Sequence, residues 1–360
     1  MKFESTSGLL SSAKHSAILY FYVRDFLLGA TLEWLPCIQF TYVMYDPSAE
    51  ATRSIEANHN AKLSVGPGLG LTPTAVYDGG YAERAEGRGV CLRIANGAAG
   101  QVGFIGAWAD KFIRYMVEEK GVEPFQVAWY LGDTTESLAY LASGEVDVAV
   151  TYNQAAEAHA IQCGHATKSI YAFRDHFLLV GPDSNPANLE EGDDILTMFN
   201  KIVEAGNADV EHPPAHRPPT RFLSRFDKSA TNIKESLIFA TIGQVPWALD
   251  YSRWYHQYAQ FPREALEAAS LLSEYTLIDQ GTWIDAPEFV TSRLRVFKSG
   301  RDDPHDLLLN PAHALVGKES ILAQPDICKA FMKWIVAPKG GQKVVESFRR
   351  HGQVLYSKAP

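Results

Sequence analysis

Hydrophobic and polar positions fall into a regular pattern from about Gly87 onward, and the period of that pattern changes from element to element. Val90 to Ala95 (VCLRIA) is a short apolar run that predicts a strand. It is followed by a glycine-rich turn, Asn96-Gly97-Ala98-Ala99-Gly100. Phe104, Trp108, Phe112 and Met116 recur four apart, which predicts a helix over 104–119 with one apolar face. Phe125 to Leu131 predicts a strand, Thr134 to Ser143 a helix ended by Gly144, Val146 to Thr151 a strand, and Gln154 to Cys163 a helix. Alternation of strands and helices of this length points to an α/β domain with a mostly parallel sheet.

Further along, Phe177 to Pro182 (FLLVGP) predicts a strand ended by Gly-Pro. Residues 183–220 hold acidic and proline-rich loops around one helix near 195–205. Helices are expected over 234–242, 248–258 and 262–274, strands over 275–278 and 314–316, and a closing amphipathic helix over 325–335. Trp254, Tyr255 and Tyr258 have helical spacing and are expected to fill a core. No internal repeat is present.

Residues 1–85 are less ordered in pattern. The apolar run Ala17 to Val23 is broken by Arg24, Asp25 and Glu33 before it could span a bilayer. It has neither the basic start nor the small-residue cleavage site of a secretory signal. Pro47 to about Pro73 is rich in small and polar residues and reads as a linker, so residues 1–85 are taken as an N-terminal extension.

Composition narrows the function. The 360 residues are 46% hydrophobic and 21% charged, with a mean hydropathy of -0.14, as in an ordinary globular chain. A net charge of -9 and a pI near 5.7 repel polyanions and argue against a nucleic-acid partner. They leave room for a local anion site, which needs only a few converging donors. Cys37, Cys91, Cys163 and Cys328 form no C-x-x-C pair, so neither a zinc cluster nor a disulfide framework is expected, and the thiols are read as isolated and buried. G-x-S-x-G, H-E-x-x-H and G-x-x-x-x-G-K-[ST] are all missing. His212 and His216 stand four apart, but the flanking prolines place them in a solvated loop. Arg174-Asp175-His176 is read as a hinge-strand cluster that hydrogen-bonds between lobes.

Two segments carry candidate chemistry. The turn after VCLRIA leads from strand to helix and would expose backbone N–H groups to an anion. Gly97, Gly100 and Gly103 do not match G-x-G-x-x-G. A dinucleotide site with Asp133 as the ribose-binding acid therefore stays only as an alternative, beside a close-packed turn that binds nothing. The second segment is Phe222 to Ser236 (FLSRFDKSATNIKES), where Ser224-Arg225 is followed by Ser229 and Thr231 at the start of a helix. Arginine offers a planar fork of donors to an oxyanion, and Asn232 with Glu235 fits a capping box. The alternative is that Arg225 pairs with Asp227 only to fix the loop.

Here the chain resembles a known family. Arg225-x-Asp227-x-Ser229-x-Thr231-x-x-Lys234-Glu235, then Tyr275-Thr276-Leu277-Ile278-Asp279-Gln280-Gly281-Thr282, then Leu308-Leu309-Asn310-Pro311, are similar in order and wording to the tungstate-binding components of ABC importers. Gly144 to Thr151, Arg174 to Pro182 and Pro338-Lys339-Gly340-Gly341-Gln342 fit in the same order, so the likeness covers about residues 88 to 350. NGAAGQ and FRDHFLLVGP look most like the fungal branch, whose members have no obvious partner importer.

The resemblance implies a two-lobed type II periplasmic-binding-protein-like α/β fold, each lobe a mostly parallel sheet flanked by helices, with two hinge crossings. Lobe 1 would hold 86–175 plus about 314–360, and lobe 2 would hold 176–313. The ligand residues carried over by position are Asn96, Gly97, Ala98, Thr134, Thr151, Ser224, Arg225, Ser229 and Thr231. A non-enzymatic solute-binding protein follows, without cofactor or metal, expected as a monomer that takes a small anionic ligand and has no transmembrane segment. The family is secreted or at the cell surface, although no signal peptide stands out in this chain. Departures bear on the ligand: the first turn lacks the family's hydroxyls, Ile278 replaces a threonine, Gln280 an arginine and Lys228 an aspartate. A tetrahedral dianion wants many charge-assisted donors, so a carboxylate, phosphate ester or sulfate is expected ahead of tungstate. An enzyme on the same fold and an interaction protein with a vestigial cleft are the alternatives.

Overall fold

The sequence pattern matures into a computed structural model that describes residues 71–248, 252–318 and 325–360. Cys37, the apolar run 17–23 and most of the linker lie outside the described residues. All described residues belong to the unit Ala57–Pro360. The first strand, β1 (Ala75–Tyr77), falls in the part of the chain where the pattern specified no element, and α1 (Ala82–Arg88) follows it.

Next come β2 (Val90–Asn96), the single turn α2 (Ala98–Gln101), α3 (Phe104–Glu118), β3 (Gln126–Leu131), α4 (Thr134–Ala142), β4 (Val148–Thr151) and α5 (Gln154–Gln162). β2 lies parallel to both β3 and β4, and β1 closes the edge antiparallel to β3. The four-apart residues of α3 do face inward: Phe104, Trp108 and Phe112 are fully buried and Met116 nearly so.

A single strand then leaves this lobe. β5 (Ala166–Pro182) is 17 residues long. Its first half pairs antiparallel with β10 (Leu309–Gly317), and its second half with β8 (Tyr275–Asp279) and β9 (Leu294–Ser299). The second lobe adds α6 (Ile195–Glu211), β6 (Phe222–Ser224), α7 (Ala230–Thr241), β7 (Tyr255–Gln257) and α8 (Pro262–Leu272). After β8 come the short α9 (Gln280–Asp285) and α10 (Glu288–Thr291). β6 lies parallel to both β7 and β8. Each lobe therefore has a parallel three-strand centre, and β5 and β10 cross between the lobes as an antiparallel pair. The C-terminal α11 (Pro325–Ile335), α12 (Gly341–Ser347), the antiparallel pair β11 (Arg349–Arg350) and β12 (Gln353–Val354), and β13 (Ser357–Lys358) follow, and β13 pairs with Arg174 and Phe173 of β5 in the first lobe.

Two aromatic cores match this division. One gathers Trp108, Phe112, Phe173 and Phe331, the other Phe199, Phe222, Phe239 and Trp254. Phe173 meets Phe104 edge-on at 5.0 Å between ring centroids and Trp108 at 5.6 Å, the geometry aromatic quadrupoles favour. Gln342 ties α12 inward by donating to the Ala172 and Ile335 carbonyls, each at 2.8 Å.

The helix expected over 248–258 is corrected. Residues 249–251 lie outside the described residues, and 255–257 form β7, because Phe222 pairs with Tyr255 in the sheet. Trp254 and Tyr255 are buried all the same, so the core role holds while the secondary structure does not. Cys91 and Cys328 are buried, but Cys163 is exposed at the end of α5, against the expectation of a buried thiol. His212 and His216 are both exposed.

Phe173→Ala should cost about 3–5 kcal/mol through the cavity it leaves. Phe289→Ala, at a ring 58% exposed, should stay within about 0.5 kcal/mol of the parent. Urea denaturation of both variants checks the contrast.

Candidate functional site

The turn after β2 is built by Asn96. Its amide donates to the Val150 carbonyl at 2.8 Å, and its Oδ1 accepts from Gly100 N–H at 2.8 Å. Trp129 Nε1 donates to the Asn96 carbonyl at 3.0 Å. A side chain on Gly100 would meet the Trp129 ring at 2.2 Å, so only glycine fits there. Asn96 is fully buried and shapes the turn, leaving Gly97 and Ala98 on the wall of a cavity between the lobes.

The opposite wall comes from the loop after β6. Arg225 is 2% exposed, and its Nη2 donates to Asp227 Oδ2 at 2.6 Å. Asp227 Oδ1 in turn accepts from Ser229 N–H at 2.9 Å. Phe226 sits at φ 39, a left-handed conformation that costs a bulky residue about 1–3 kcal/mol. Its N–H donates to Ser224 Oγ at 3.1 Å. Ser229, not Asn232, caps α7, accepting from Asn232 N–H at 3.3 Å. The capping box expected at Asn232 does not form, and the N-cap lies three residues earlier. The Asn232 amide instead donates to Glu235 at 2.7 Å, inside the helix.

The structure gathers six of the nine expected residues around one cavity of about 50 Å³: Gly97, Ala98, Thr134, Arg225, Ser229 and Thr231. That is room for a few waters or one small polyatomic ion, against the roughly 300–1,000 Å³ of pockets for drug-sized ligands. Asn96, Thr151 and Ser224 stand behind this wall. Thr151 donates to Glu157 at 2.9 Å. Ser224 donates to Glu235 and accepts from the Tyr255 hydroxyl at 2.7 Å. Asp133 lines the cavity but caps α4 in a reciprocal pair with Glu136, which is a helix-start role rather than that of a ribose acid. Lys228 is exposed, and Gln280 donates to the Val354 and Leu355 carbonyls.

The pattern reading did not assign Tyr152, Asp175, Asp279 and Asn310 to the wall, yet all four line it. Asp175 stands opposite Asn310 across the β5–β10 pair, and the Asn310 amide donates to Asp175 Oδ2 at 3.0 Å. Only the register of the crossing strands brings these residues to the cleft. The neighbouring His176 turns elsewhere, 2.9 Å from Asp302, and Arg174 donates to the Lys358 carbonyl at 3.0 Å.

Donors converge on the cavity. Thr134 opens α4, and Ala230 and Thr231 open α7, so two helix N-termini face it. Thr134 Oγ1 and Arg225 Nε are buried without a hydrogen-bond partner, a costly state for polar atoms in a folded interior. Acceptors are present too. Burial, reinforced by Asp279, pushes the Asp175 carboxyl well above the usual range, and burial pushes Asp279 up against the pull of Thr282 and Arg225. Among the described residues, no group of three or more His, Cys, Asp or Glu is placed to hold a metal ion, and no helix is long and apolar enough to cross a membrane.

With the cleft described, the comparisons place the chain. A family model described as a PBP superfamily domain matches residues 91–339. The chain belongs to the periplasmic-binding-protein (PBP) superfamily. Its two-lobed fold agrees with that membership. A solved structure described as "a periplasmic putative metal binding protein" is 48% identical, covers 79% of this chain and 99% of its own, and superposes with a TM-score of 0.71. The tungstate-binding protein TupA of Peptoclostridium acidaminophilum is 24% identical over 283 residues, 77% of this chain and 88% of that protein. A "Putative ABC transporter anion-binding protein" of Haloferax volcanii is 24% identical over 218 residues, 59% of this chain. The match spans 58% of that relative's length. All three are described as binding proteins.

Behind Arg225, Glu235 is fully buried with Oε2 unpartnered. Burial pushes its carboxyl up to about 8, against the pull of Ser224, Asn232 and Arg225. A carboxyl raised in the fold is favoured when protonated, so stability should fall as pH rises from about 4.5 to about 8. Glu235→Gln should flatten that fall, read as Tm against pH.

Proposed function

We propose that this PBP-superfamily chain is a solute-binding protein that closes its two lobes on one small oxyanion or carboxylate beside Arg225. The observation that carries the reading is the pair of buried, unpartnered donors on the cavity wall, Arg225 Nε and Thr134 Oγ1. An anion seated there would satisfy both at once. It would also take up the first-turn N–H groups of α4 and α7, where the helix dipoles favour negative charge.

In this reading Gly97 and Ala98 contribute backbone amides, and Thr134, Arg225, Ser229 and Thr231 contribute side chains. Asn96, Thr151 and Ser224 support them from behind. The Arg225–Asp227 bond does not compete with the role: it engages one terminal nitrogen and holds the fork in place. The proposed lobes are 86–175 with about 314–360, and 176–313, moving about Arg174–His176 and Leu309–Pro311. The relatives described as anion-binding and tungstate-binding support an anion as ligand. Ala98, Ala99, Ile278 and Gln280 offer fewer charge-assisted donors than a desolvated tungstate needs, which favours a less demanding anion. We propose no catalysis, because His176 is held by Asp302 rather than on the cavity wall.

Thermal shift with phosphate, sulfate, molybdate, tungstate and small carboxylates tests the reading. At least one anion should raise stability with concentration, by about 2.7 kcal/mol at a hundredfold excess over Kd. Arg225→Ala should abolish the response. Thr134→Val should weaken it by about 1.5–3 kcal/mol, the worth of a hydrogen bond to a charged group. Silence towards every anion, with folded protein, would sink the proposal.

A further inference from the structure

Side-chain donors are unevenly spread over the cavity wall. Gly97, Ala98, Ala99 and Gly100 carry none. The Asn96 amide just before them is fully used, with one hydrogen on the Val150 carbonyl at 2.8 Å and the other on the Tyr152 hydroxyl at 3.3 Å. Its Oδ1 accepts from Gly100 N–H. The first turn therefore offers an anion only backbone donors, unless a side chain reaches it from another strand.

Tyr152 makes that reach. β2 and β4 run parallel, with Ile94 opposite Val148 and Ala95 opposite Ala149, so the carboxyl ends of both strands meet the cavity. Tyr152 directly follows β4 and lines the cavity with Gly97 and Ala98. Its ring packs against the first aromatic core and meets Phe173 edge-on at 6.3 Å between centroids, which fixes where the hydroxyl stands. The direction of the hydroxyl hydrogen follows from its partner. An amide N–H has no lone pair to offer, so Asn96 can only give to the phenol oxygen. Tyr152 keeps its own hydrogen for an acceptor. Within the protein a competing acceptor is Asp175, but its oxygens already accept from His176 N–H at 2.8 Å and from the Asn310 amide at 3.0 Å.

We infer that Tyr152 binds the anion directly, donating its hydroxyl hydrogen to the ligand oxygen that lies against the first turn. The inference rests on the anion reading above and adds a side-chain donor on the wall where residues 97–100 have none. Burial, reinforced by Asp175, holds the hydrogen on the phenol, which keeps Tyr152 a donor. The sequence pattern gave no sign of this role, because Tyr152 reads there as an ordinary residue between a strand and a helix cap.

Isothermal titration with inorganic phosphate, sulfate and tungstate, on the full chain and on Tyr152→Phe, tests it. The substitution removes one oxygen and keeps the ring. Each anion that the parent binds should lose about ten- to a hundredfold in affinity, the worth of a hydrogen bond to a charged group. A tyrosine that only props up the turn would not respond to the acidity of its phenol. The second measurement therefore places a monofluorinated and then a difluorinated tyrosine at position 152, each a stronger donor than the last at nearly constant shape. Affinity should rise along that series. Affinity that stays level or falls along it overturns the inference, as does Tyr152→Phe binding as tightly as the parent. If Tyr152→Phe does not fold, the fluorinated series decides. A parent chain that binds none of the three anions overturns the anion reading together with this one.

Discussion

A strand that belongs to two lobes has to satisfy its backbone groups in both, and β5 does so along 17 residues. Its first half is bonded to β10 and its second half to β8 and β9. β10 crosses back beside it, from Leu309 opposite His176 to Gly317 opposite Ala166. Every contact between the lobes through the sheet passes along this antiparallel pair. Any change of angle between the lobes has to be absorbed near Arg174–His176 and Leu309–Pro311, where the pairing passes from one lobe to the other. The cavity lies against this stretch, and Asp175 and Asn310 both join the strands and line it. The cavity wall and the strand crossing are thereby one structure.

Burying Arg225 is the main cost on the second wall, because a desolvated guanidinium needs partners. Asp227 supplies one and also accepts from Ser229 N–H. Ser224 supports the turn from behind, accepting from Phe226 N–H where the backbone is strained. Glu235, Asn232 and Tyr255 converge on Ser224. This polar network fixes where the arginine stands, which explains how polar residues come to be fully buried at a distance from the cavity.

Much of the fold was legible because it depends on short-range pattern. The four-apart aromatics of α3 gave a helix, and the apolar run FLLVGP gave the part of β5 that is buried on both faces. The first half of β5 escaped notice because Ala166 to Arg174 is partly exposed and has no sustained apolar run. Likewise the strand expected over 314–316 is only the end of β10, which starts at Leu309 and takes in Asn310 and Pro311 beside an irregularity in the register at Ala312 and His313. Trp254, Tyr255 and Tyr258 had helical spacing, yet pairing of Tyr255 with Phe222 decided for a strand.

The sequence by itself determined the α/β class, the glycine turn, the donor-rich loop around Arg225 and the helix start at Thr134, whereas it put the start of α7 about a turn too late. These are local properties: caps, turns and amphipathic faces are set by residues within a few positions of one another. Only the tertiary structure decided which hydroxyls reach the cavity and which stand behind it. It alone brought Asp175, Asp279 and Asn310 onto the same wall as Arg225. That outcome depends on strand register between residues more than a hundred positions apart, and register is a property of the folded sheet that no local spacing encodes.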